Sequence, residues 1–124
     1  MACAFCDMAR EELFVSEFAL GFADAHPVSA GHTLVIPRRH VASLYELSDE
    51  EYQGLWGAVR TVRNILQGEL RPAGFNIGVN DGAAAGQTVF HAHVHVIPRY
   101  AGDSSDPRGG VRWILPERAP YWDK

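Results

Sequence analysis

Three histidines alternate with small apolar residues in the second half of the chain: His91, His93 and His95 are separated by Ala92 and Val94. This alternation is typical of a β-strand, because successive side chains of a strand point to opposite faces. We therefore expect the three imidazoles to form a row on one face, with neighbours about 6.5–7 Å apart. In such a row one imidazole can attack a phosphate while the others hold charge or protons.

The same three imidazoles could instead bind a metal, since histidine is the commonest metal ligand, or could simply titrate at the surface. The segment before them, residues 80–88, is a glycine-rich loop that leads into the predicted strand. Glycine-rich backbone can approach an anion closely and present its N–H groups to it. Spacing and loop together favour phosphate chemistry slightly over metal chemistry.

The two cysteines, Cys3 and Cys6, form a Cys-x-x-Cys motif near the N-terminus. A secreted disulfide framework normally has more cysteines, and a redox Cys-x-x-Cys usually lies in a βαβ pattern that this sequence lacks. Half of a zinc site is the better interpretation, provided that two further ligands come from elsewhere. The alternative is that the two residues are unconnected.

Length and composition limit the class of protein. The 124 residues predict a single domain over 1–124, with a core at about 3–100 and an irregular C-terminal tail at 101–124. A hydrophobic content of 47% and a charged content of 21% are typical of a soluble globular protein. The net charge of −4 argues against binding to a nucleic acid backbone. Without a membrane-length apolar run or a signal peptide, we expect no membrane association and a cytoplasmic location.

The helices and strands that must position these residues can be predicted from the spacing of the apolar residues and from the residues that begin or end each element. Ser48 and Glu51 form a capping box before a predicted helix at 49–70, whose apolar residues recur every three or four positions and are expected to face the core. Strands are predicted at 13–15, 18–22, 32–36, 75–80 and 88–97. The fold class is therefore α+β, with an antiparallel sheet of about five strands and one long helix and a short one on one face.

Residues 86–97 resemble the signature of the histidine triad (HIT) superfamily, in which three histidines alternate with apolar residues and two further apolar residues follow. Residues 31–37 are similar to the second marker of that family, and Asn80 before the glycine loop fits as well. The Cys-x-Phe-Cys start and the Ile-Pro-Arg-Tyr exit at 97–100 are most similar to bacterial members that resemble diadenosine polyphosphate hydrolases.

This resemblance implies a catalytic set. His93 would attack the α-phosphorus of a nucleotide and form a covalent nucleotidyl-histidine that water then resolves. A backbone carbonyl near His91 would hold the other ring nitrogen of His93. His95 and His32 would donate hydrogen bonds to the phosphate oxygens, and Gln87 and Thr88 would bind the phosphates or assist the leaving group.

The resemblance also implies the groups that bind the substrate, a small AMP-containing nucleotide. Asp24 would bind the ribose, Asn80 the ribose or a phosphate, and Phe22 would help to line the base pocket. The full substrate-binding set expected from the family is Phe22, Asp24, Asn80, Gly86, Gln87 and Thr88.

Family members that begin with Cys-x-x-Cys imply a structural zinc site of the Cys2His2 type, made by Cys3, Cys6, His40 and His91. Four ligands leave no open position, so the zinc would tether the N-terminus to the sheet, and catalysis would require no cofactor. Family members usually form homodimers by joining their sheets, with the long helix also at the interface.

The function expected from these residues is hydrolysis of dinucleoside polyphosphates or nucleoside phosphoramidates. A nucleotide-binding or partner-binding module with negligible turnover is the alternative from another class. A nucleotidyltransferase is disfavoured, because known transferases of the superfamily tend to carry glutamine where His95 stands here. A DNA-repair deadenylase is disfavoured by the lack of extra basic or zinc-finger regions.

Overall fold

The computed structural model describes residues 3–7 and 10–122. Two α-helices and five strands account for its regular structure, together with four short 3-10 turns. In chain order the helices and strands are α1 (Ala4–Asp7), β1 (Glu12–Val15), β2 (Ala19–Ala23), β3 (Thr33–Pro37), α2 (Asp49–Leu70), β4 (Gly74–Val79) and β5 (Val94–Arg99).

The strands form one antiparallel sheet in the order β1-β2-β3-β5-β4. The predicted α+β class, with a five-stranded antiparallel sheet and one long helix, is confirmed. The first hairpin turns without glycine or asparagine, because the Ser16 hydroxyl accepts a hydrogen bond from the Ala19 N–H (3.2 Å). Strand β4 lies at one edge of the sheet and pairs only with β5 in the described part of the chain.

The predicted histidine strand at 88–97 is wrong in its first half. Strand β5 begins at Val94, so of the three histidines only His95 lies within it. The Ala92 N–H instead donates to the carbonyl of Val41 (2.7 Å), in the segment that leads to α2. Burial does not alternate here, because His91 and His93 are buried as well as Ala92 and Val94; the backbone leaves the sheet before Val94, and the three imidazoles do not form one row.

Helix α2 covers one face of the sheet. Its capping box at Ser48 and Glu51 is present, and the helix ends at Leu70 as predicted. Most of the predicted apolar stripe is buried against the sheet, Tyr52 and Trp56 are half-buried, and Leu70 is exposed; the buried members are Leu55, Val59, Val62 and Leu66. The partners of these side chains on the sheet include Val35, Val94 and Val96.

The other face of the sheet carries the site. Leu34 and Ile36 alternate with Val35 along β3, and they pack with Phe22 and with Phe5 of α1. Helix α1 therefore lies on the face opposite α2. The short helix predicted on the face of α2 is a single 3-10 turn, Leu44–Glu46, whose buried Leu44 joins the core beneath α2.

The C-terminal segment has an ordered course despite its lack of strands. It contains 3-10 turns at Gly110–Ile114 and Pro116–Arg118. Arg99 anchors its start through a bidentate pair with Asp103 (2.8 Å for both bonds) and a bond to Asn76 on β4 (2.6 Å). Among residues 3–7 and 10–122, no helix is both long and apolar enough to cross a membrane.

Candidate active site and metal centre

Cys3, Cys6, His40 and His91 bring four potential metal-ligand atoms within 4.8 Å of one another. The Nδ1 atom of His91 lies 3.6 Å from the Cys3 sulfur, 3.4 Å from the Cys6 sulfur and 3.2 Å from Nδ1 of His40. A tetrahedral ion with usual Zn–S and Zn–N bond lengths would separate its ligand atoms by about 3.3–3.8 Å. The donor set and its spacing therefore fit a zinc ion.

The ring of His91 is oriented as a metal ligand requires. Its Nε2–H donates to the carbonyl of Pro37 at the end of β3 (2.8 Å), which leaves Nδ1 unprotonated and directed at the two thiols. A backbone acceptor of this kind fixes the tautomer of a ligating histidine. Burial lowers the pKa of His91, so the ring is held in the neutral form that binds metal.

His93 has the opposite tautomer, and a backbone carbonyl sets it. Its Nδ1–H donates to the carbonyl oxygen of His91 (2.9 Å), so Nε2 is the unprotonated nitrogen of the neutral ring. The ring is 8% exposed and Phe5 packs edge-on against it, with ring centres 5.1 Å apart. An unprotonated imidazole nitrogen held in a fixed orientation is the form that a nucleophile needs.

A second pair of imidazoles is connected by hydrogen bonds. The backbone N–H of Val28 donates to Nδ1 of His32 (3.1 Å), so the neutral His32 ring carries its proton on Nε2. That nitrogen lies 2.9 Å from Nδ1 of His95 and 3.3 Å from a carboxylate oxygen of Asp24. Since Nδ1 of His95 accepts a hydrogen bond from this N–H, His95 carries its own proton on Nε2, and that N–H remains available as a donor.

Burial favours the neutral form of both of these rings. Burial lowers the pKa of His32, and the Asp24 carboxylate partly offsets that effect. Burial likewise lowers the pKa of His95, and the neighbouring His93 and His32 lower it further. The other oxygen of Asp24 accepts the backbone N–H of His26 (2.9 Å), which fixes the carboxylate beside His32.

Asp24, His32 and His95 could in principle hold a second metal ion, because their ligand atoms also lie within 4.8 Å of one another. The tautomer of His32 argues against this interpretation. Its Nδ1 lone pair is taken by the Val28 N–H, so Nε2 bears the proton and offers no lone pair to an ion. We therefore describe His32 and His95 as a hydrogen-bonded pair of imidazoles, with the Asp24 carboxylate beside His32.

A cavity of about 440 Å³ brings together most of the predicted site residues. They are Phe22, Asp24, Asn80, Gly86, Thr88, His93 and His95. Ala4 and Phe5 also line it, together with Ala25, His26, Leu34 and Val89. Phe5 is not among the site residues predicted from the sequence.

Gln87, by contrast, uses its side chain within the glycine-rich loop. Its amide oxygen accepts the Gly82 N–H (2.8 Å), and its amide nitrogen donates to the carbonyls of Ala42 (2.8 Å) and Val89 (3.1 Å). The residue is buried and lines neither this cavity nor the one described next. Its contacts fix the loop that carries Gly86 and Thr88.

A larger cavity, of about 720 Å³, lies on the other side of His95. It shares Asn80, Gly86 and His95 with the first cavity and also reaches His32. Three exposed apolar residues of the C-terminal segment close it: Val111, Ile114 and Leu115. We call it the tail-lined cavity.

Comparison with known proteins gives consistent results. The HIT domain model matches residues 11–102. The protein named Protein hit of Bacillus subtilis is 40% identical over 103 residues, which cover 79% of this chain and 71% of that protein. Two relatives have named activities. Bis(5'-nucleosyl)-tetraphosphatase [asymmetrical] of Schizosaccharomyces pombe is 37% identical over 77% of this chain and 59% of that protein. Adenylylsulfatase HINT3 of Arabidopsis thaliana is 36% identical over 82% of this chain and 54% of that protein.

Solved structures agree. A member of the HIT family from Bacillus subtilis superposes with a TM-score of 0.78 at 38% identity, covering 83% of this chain and 77% of that one. A Zn-bound histidine triad family protein from Mycobacterium smegmatis superposes with a TM-score of 0.77 at 37% identity, covering 85% of this chain and 80% of that one. From the matched model, these relatives and the geometry of the site, the chain belongs to the HIT domain family.

Proposed function

We propose that this protein hydrolyses small AMP-containing nucleotides, either dinucleoside polyphosphates or nucleoside phosphoramidates, through a covalent nucleotide bound to His93. The observation that carries the proposal is the bond from Nδ1–H of His93 to the His91 carbonyl, because it leaves Nε2 unprotonated in a ring that lines a cavity. The named activities of two relatives, a dinucleoside tetraphosphatase and an adenylylsulfatase, support a nucleotide as substrate.

The reaction would proceed in two displacements. Nε2 of His93 attacks the α-phosphorus, the bond from phosphorus to the leaving group breaks, and a nucleotidyl-histidine forms. Water then attacks the same phosphorus, which releases the nucleoside monophosphate and restores the free imidazole. Dividing one displacement into two lowers each barrier.

The remaining groups would stabilise and orient the phosphoryl group. The Nε2–H of His95 would donate to a phosphoryl oxygen or to the departing atom, while His32 holds the opposite nitrogen of that ring. The Thr88 hydroxyl and the backbone around Gly86 adjoin the same cavity. We therefore assign His32 to positioning, in place of the direct phosphate contact expected from the sequence.

The nucleoside would occupy the 440 Å³ cavity. Phe22 and Phe5, whose ring centres are 5.6 Å apart, offer an aromatic surface for the base. Asp24 would accept a hydrogen bond from the ribose, and Asn80 lies where the two cavities meet.

The test is to trap the intermediate. Wild-type protein incubated with an adenosine phosphoramidate and quenched in base should gain the mass of one adenylyl group on the peptide that contains His93. The His93→Ala variant should show no adduct and no turnover. Tyr45→Ala, which changes an exposed ring that lines neither cavity, should behave as wild type. Wild-type turnover in His93→Ala would refute the mechanism, and tight AMP binding without turnover in wild type would favour the binding-module alternative.

We also propose that Cys3, Cys6, His40 and His91 hold a structural zinc ion. The distances among their ligand atoms, which suit a four-coordinate zinc ion, and the Zn-bound relative support this assignment. The reaction would need no metal, because attack and proton donation both come from imidazoles. Metal analysis of protein purified without chelator should find one zinc per chain. A zinc content well below one per chain would refute the proposed zinc site.

A homodimer that joins two sheets is the assembly we propose. Strand β4 supports it, since its outer edge pairs with no other strand among residues 3–7 and 10–122. Light scattering should give twice the chain mass of 13.7 kDa, and a monomer at micromolar concentration would contradict the proposal.

A further inference from the structure

Phe5 belongs to two sites at once. It lies between the two cysteines of the metal cluster, and its ring is a wall of the 440 Å³ cavity. The ring is 7% exposed, packs edge-on against His93 at 5.1 Å and meets Phe22 at 5.6 Å. Whatever fixes the position of Phe5 therefore fixes one side of the space that the nucleoside would occupy.

The backbone around Phe5 has little stability of its own. Helix α1 spans four residues, and a helix of one turn is unstable in isolation because nucleation is unfavourable. Its position depends on tertiary contacts, which include the bond from Arg10 to the Phe5 carbonyl (2.6 Å) and the packing of the Phe5 ring. A metal ion held by Cys3 and Cys6 would clamp both ends of the Cys-x-x-Cys turn.

A second connection runs through His91. The same residue offers Nδ1 to the metal cluster and its carbonyl oxygen to Nδ1–H of His93 (2.9 Å). A metal bound at this ring would hold the backbone that sets the tautomer and orientation of His93. The metal cluster thus reaches the nucleotide cavity through two independent contacts, one at Phe5 and one at His93.

We infer that metal and nucleotide bind this protein with positive coupling, so that the metal centre is a determinant of nucleotide affinity as well as of stability. A metal on Cys3, Cys6, His40 and His91 holds Phe5 against the nucleoside and His93 towards the phosphate. Coupling of binding free energies is reciprocal, so bound nucleotide strengthens metal binding by the same factor that metal strengthens nucleotide binding. This inference rests on the proposed function, which places a nucleotide in that cavity.

The experiment measures both sides of this linkage. Calorimetric titration of AMP into zinc-loaded and zinc-free wild-type protein should give a Kd that is about tenfold weaker without zinc, within the usual range of coupling between sites. Equilibrium competition for zinc with a chromophoric chelator should show that saturating AMP raises zinc affinity by an equal factor. Circular dichroism of the zinc-free protein tests whether it remains folded during the titration.

Two variants separate the coupling from a general loss of structure. Phe5→Ala keeps all four ligands, so it should still bind one zinc, but its AMP affinity should be weak and should depend on zinc less than that of wild type, because only the contact through His91 and His93 remains. Phe90→Ala removes an exposed ring next to His91 that lines neither cavity, and it should retain the coupling of wild type. If the zinc-free protein unfolds, the comparison of zinc-loaded Phe5→Ala with zinc-loaded Phe90→Ala still tests the role of the ring.

The outcomes are distinguishable. Equal AMP affinity with and without zinc in folded wild-type protein would overturn the coupling, and wild-type affinity in zinc-loaded Phe5→Ala would overturn the part assigned to Phe5; both outcomes leave the proposed hydrolysis intact. Failure of zinc-loaded wild-type protein to bind AMP would refute the proposed function, and the coupling with it.

Discussion

Nε2 of His32 lies 2.9 Å from Nδ1 of His95, and the backbone N–H of Val28 determines which of the two nitrogens carries the proton. Because Val28 occupies the other nitrogen of His32, the proton between the rings belongs to His32. His95 must then keep its own proton on Nε2. A single backbone amide thereby fixes the tautomers of two imidazoles.

This relationship predicts how substitutions at His32 affect the reaction. His32→Leu cannot donate to His95, so the tautomer of His95 is no longer fixed and kcat should fall by about 10²-fold, with a smaller change in KM. His32→Gln keeps an N–H donor at a similar reach and should recover part of that loss. Steady-state kinetics on an adenosine phosphoramidate check both; equal losses in the two variants would indicate that His32 acts through bulk alone.

The pH dependence of the reaction follows from the lowered pKa values of His32 and His95. Protonation of either ring would place two N–H groups against each other, so activity requires both to be neutral. Because burial lowers both pKa values, the acid limb that this pair contributes to kcat/KM should lie below the ordinary imidazole value of 6.5. A proton NMR titration that gave His32 or His95 a pKa at or above 6.5 would contradict this.

Asp24 offers a directed test of the same electrostatics. Its carboxylate raises the pKa of both His32 and His95. In Asp24→Asn that effect is lost, so both pKa values should fall and the acid limb of kcat/KM should move to lower pH. The position of the limb, not the absolute rate, is the measurement, because Asp24 is also proposed to bind the ribose. A limb that moves to higher pH would show that the charge of Asp24 acts elsewhere.

The metal cluster predicts a strong difference between two histidine substitutions. His40→Ser removes one of four ligands, and zinc affinity should fall by more than about 100-fold, beyond the loss usual for outer contacts of a metal site. His26→Ser changes a histidine outside the cluster and should retain one zinc per chain. Metal analysis after dialysis against a weak chelator measures both, and melting temperature should fall only in His40→Ser. Equal zinc content in the two variants would exclude the assigned ligands.

The tail-lined cavity predicts a preference among leaving groups. Within the described part of the chain no arginine lines it, whereas Val111, Ile114 and Leu115 do, so it suits an apolar leaving group better than a charged polyphosphate. Ile114→Asp should lower kcat/KM for an adenosine phosphoramidate of an aromatic amine by about 10- to 100-fold, the value of one buried apolar side chain.

Two controls define that result. Hydrolysis of the unsubstituted phosphoramidate, which has ammonia as its leaving group, should be unaffected by Ile114→Asp. Val15→Asp places the same charge on an exposed residue of β1 that lines neither cavity and should leave both substrates unaffected. Equal losses on the two substrates in Ile114→Asp would show that the cavity does not select the leaving group.

The sequence predicted best those features that local chemistry determines. Helix α2 has the predicted bounds because the capping box of Ser48 and Glu51 and the apolar stripe are both local signals. The start of β5 was missed because the alternation around Ala92 does not reveal that its N–H bonds to Val41, a partner about fifty residues away. The periodicity of apolar residues does not show whether the backbone forms hydrogen bonds with a neighbouring strand, which a β-strand requires.

The candidate site shows the same limit. Cys3, Cys6, His40 and His91 could be grouped only through the family resemblance, because nothing in their spacing relates His40 to the cysteines. The side chain of Gln87 faces its own loop, which depends on the distant carbonyl of Ala42. Phe5 became part of the site through packing against His93, a contact that no motif of the sequence encodes.

The anchoring of the C-terminal segment by Arg99 and Asp103 separates two tasks within one small chain. The imidazoles lie on β3, β5 and the loops that flank them, while Val111, Ile114 and Leu115 come from the segment that this ion pair and the bond to Asn76 hold beside the sheet. Under the proposed function, substitutions at these three positions would change which leaving groups bind without altering the groups that react.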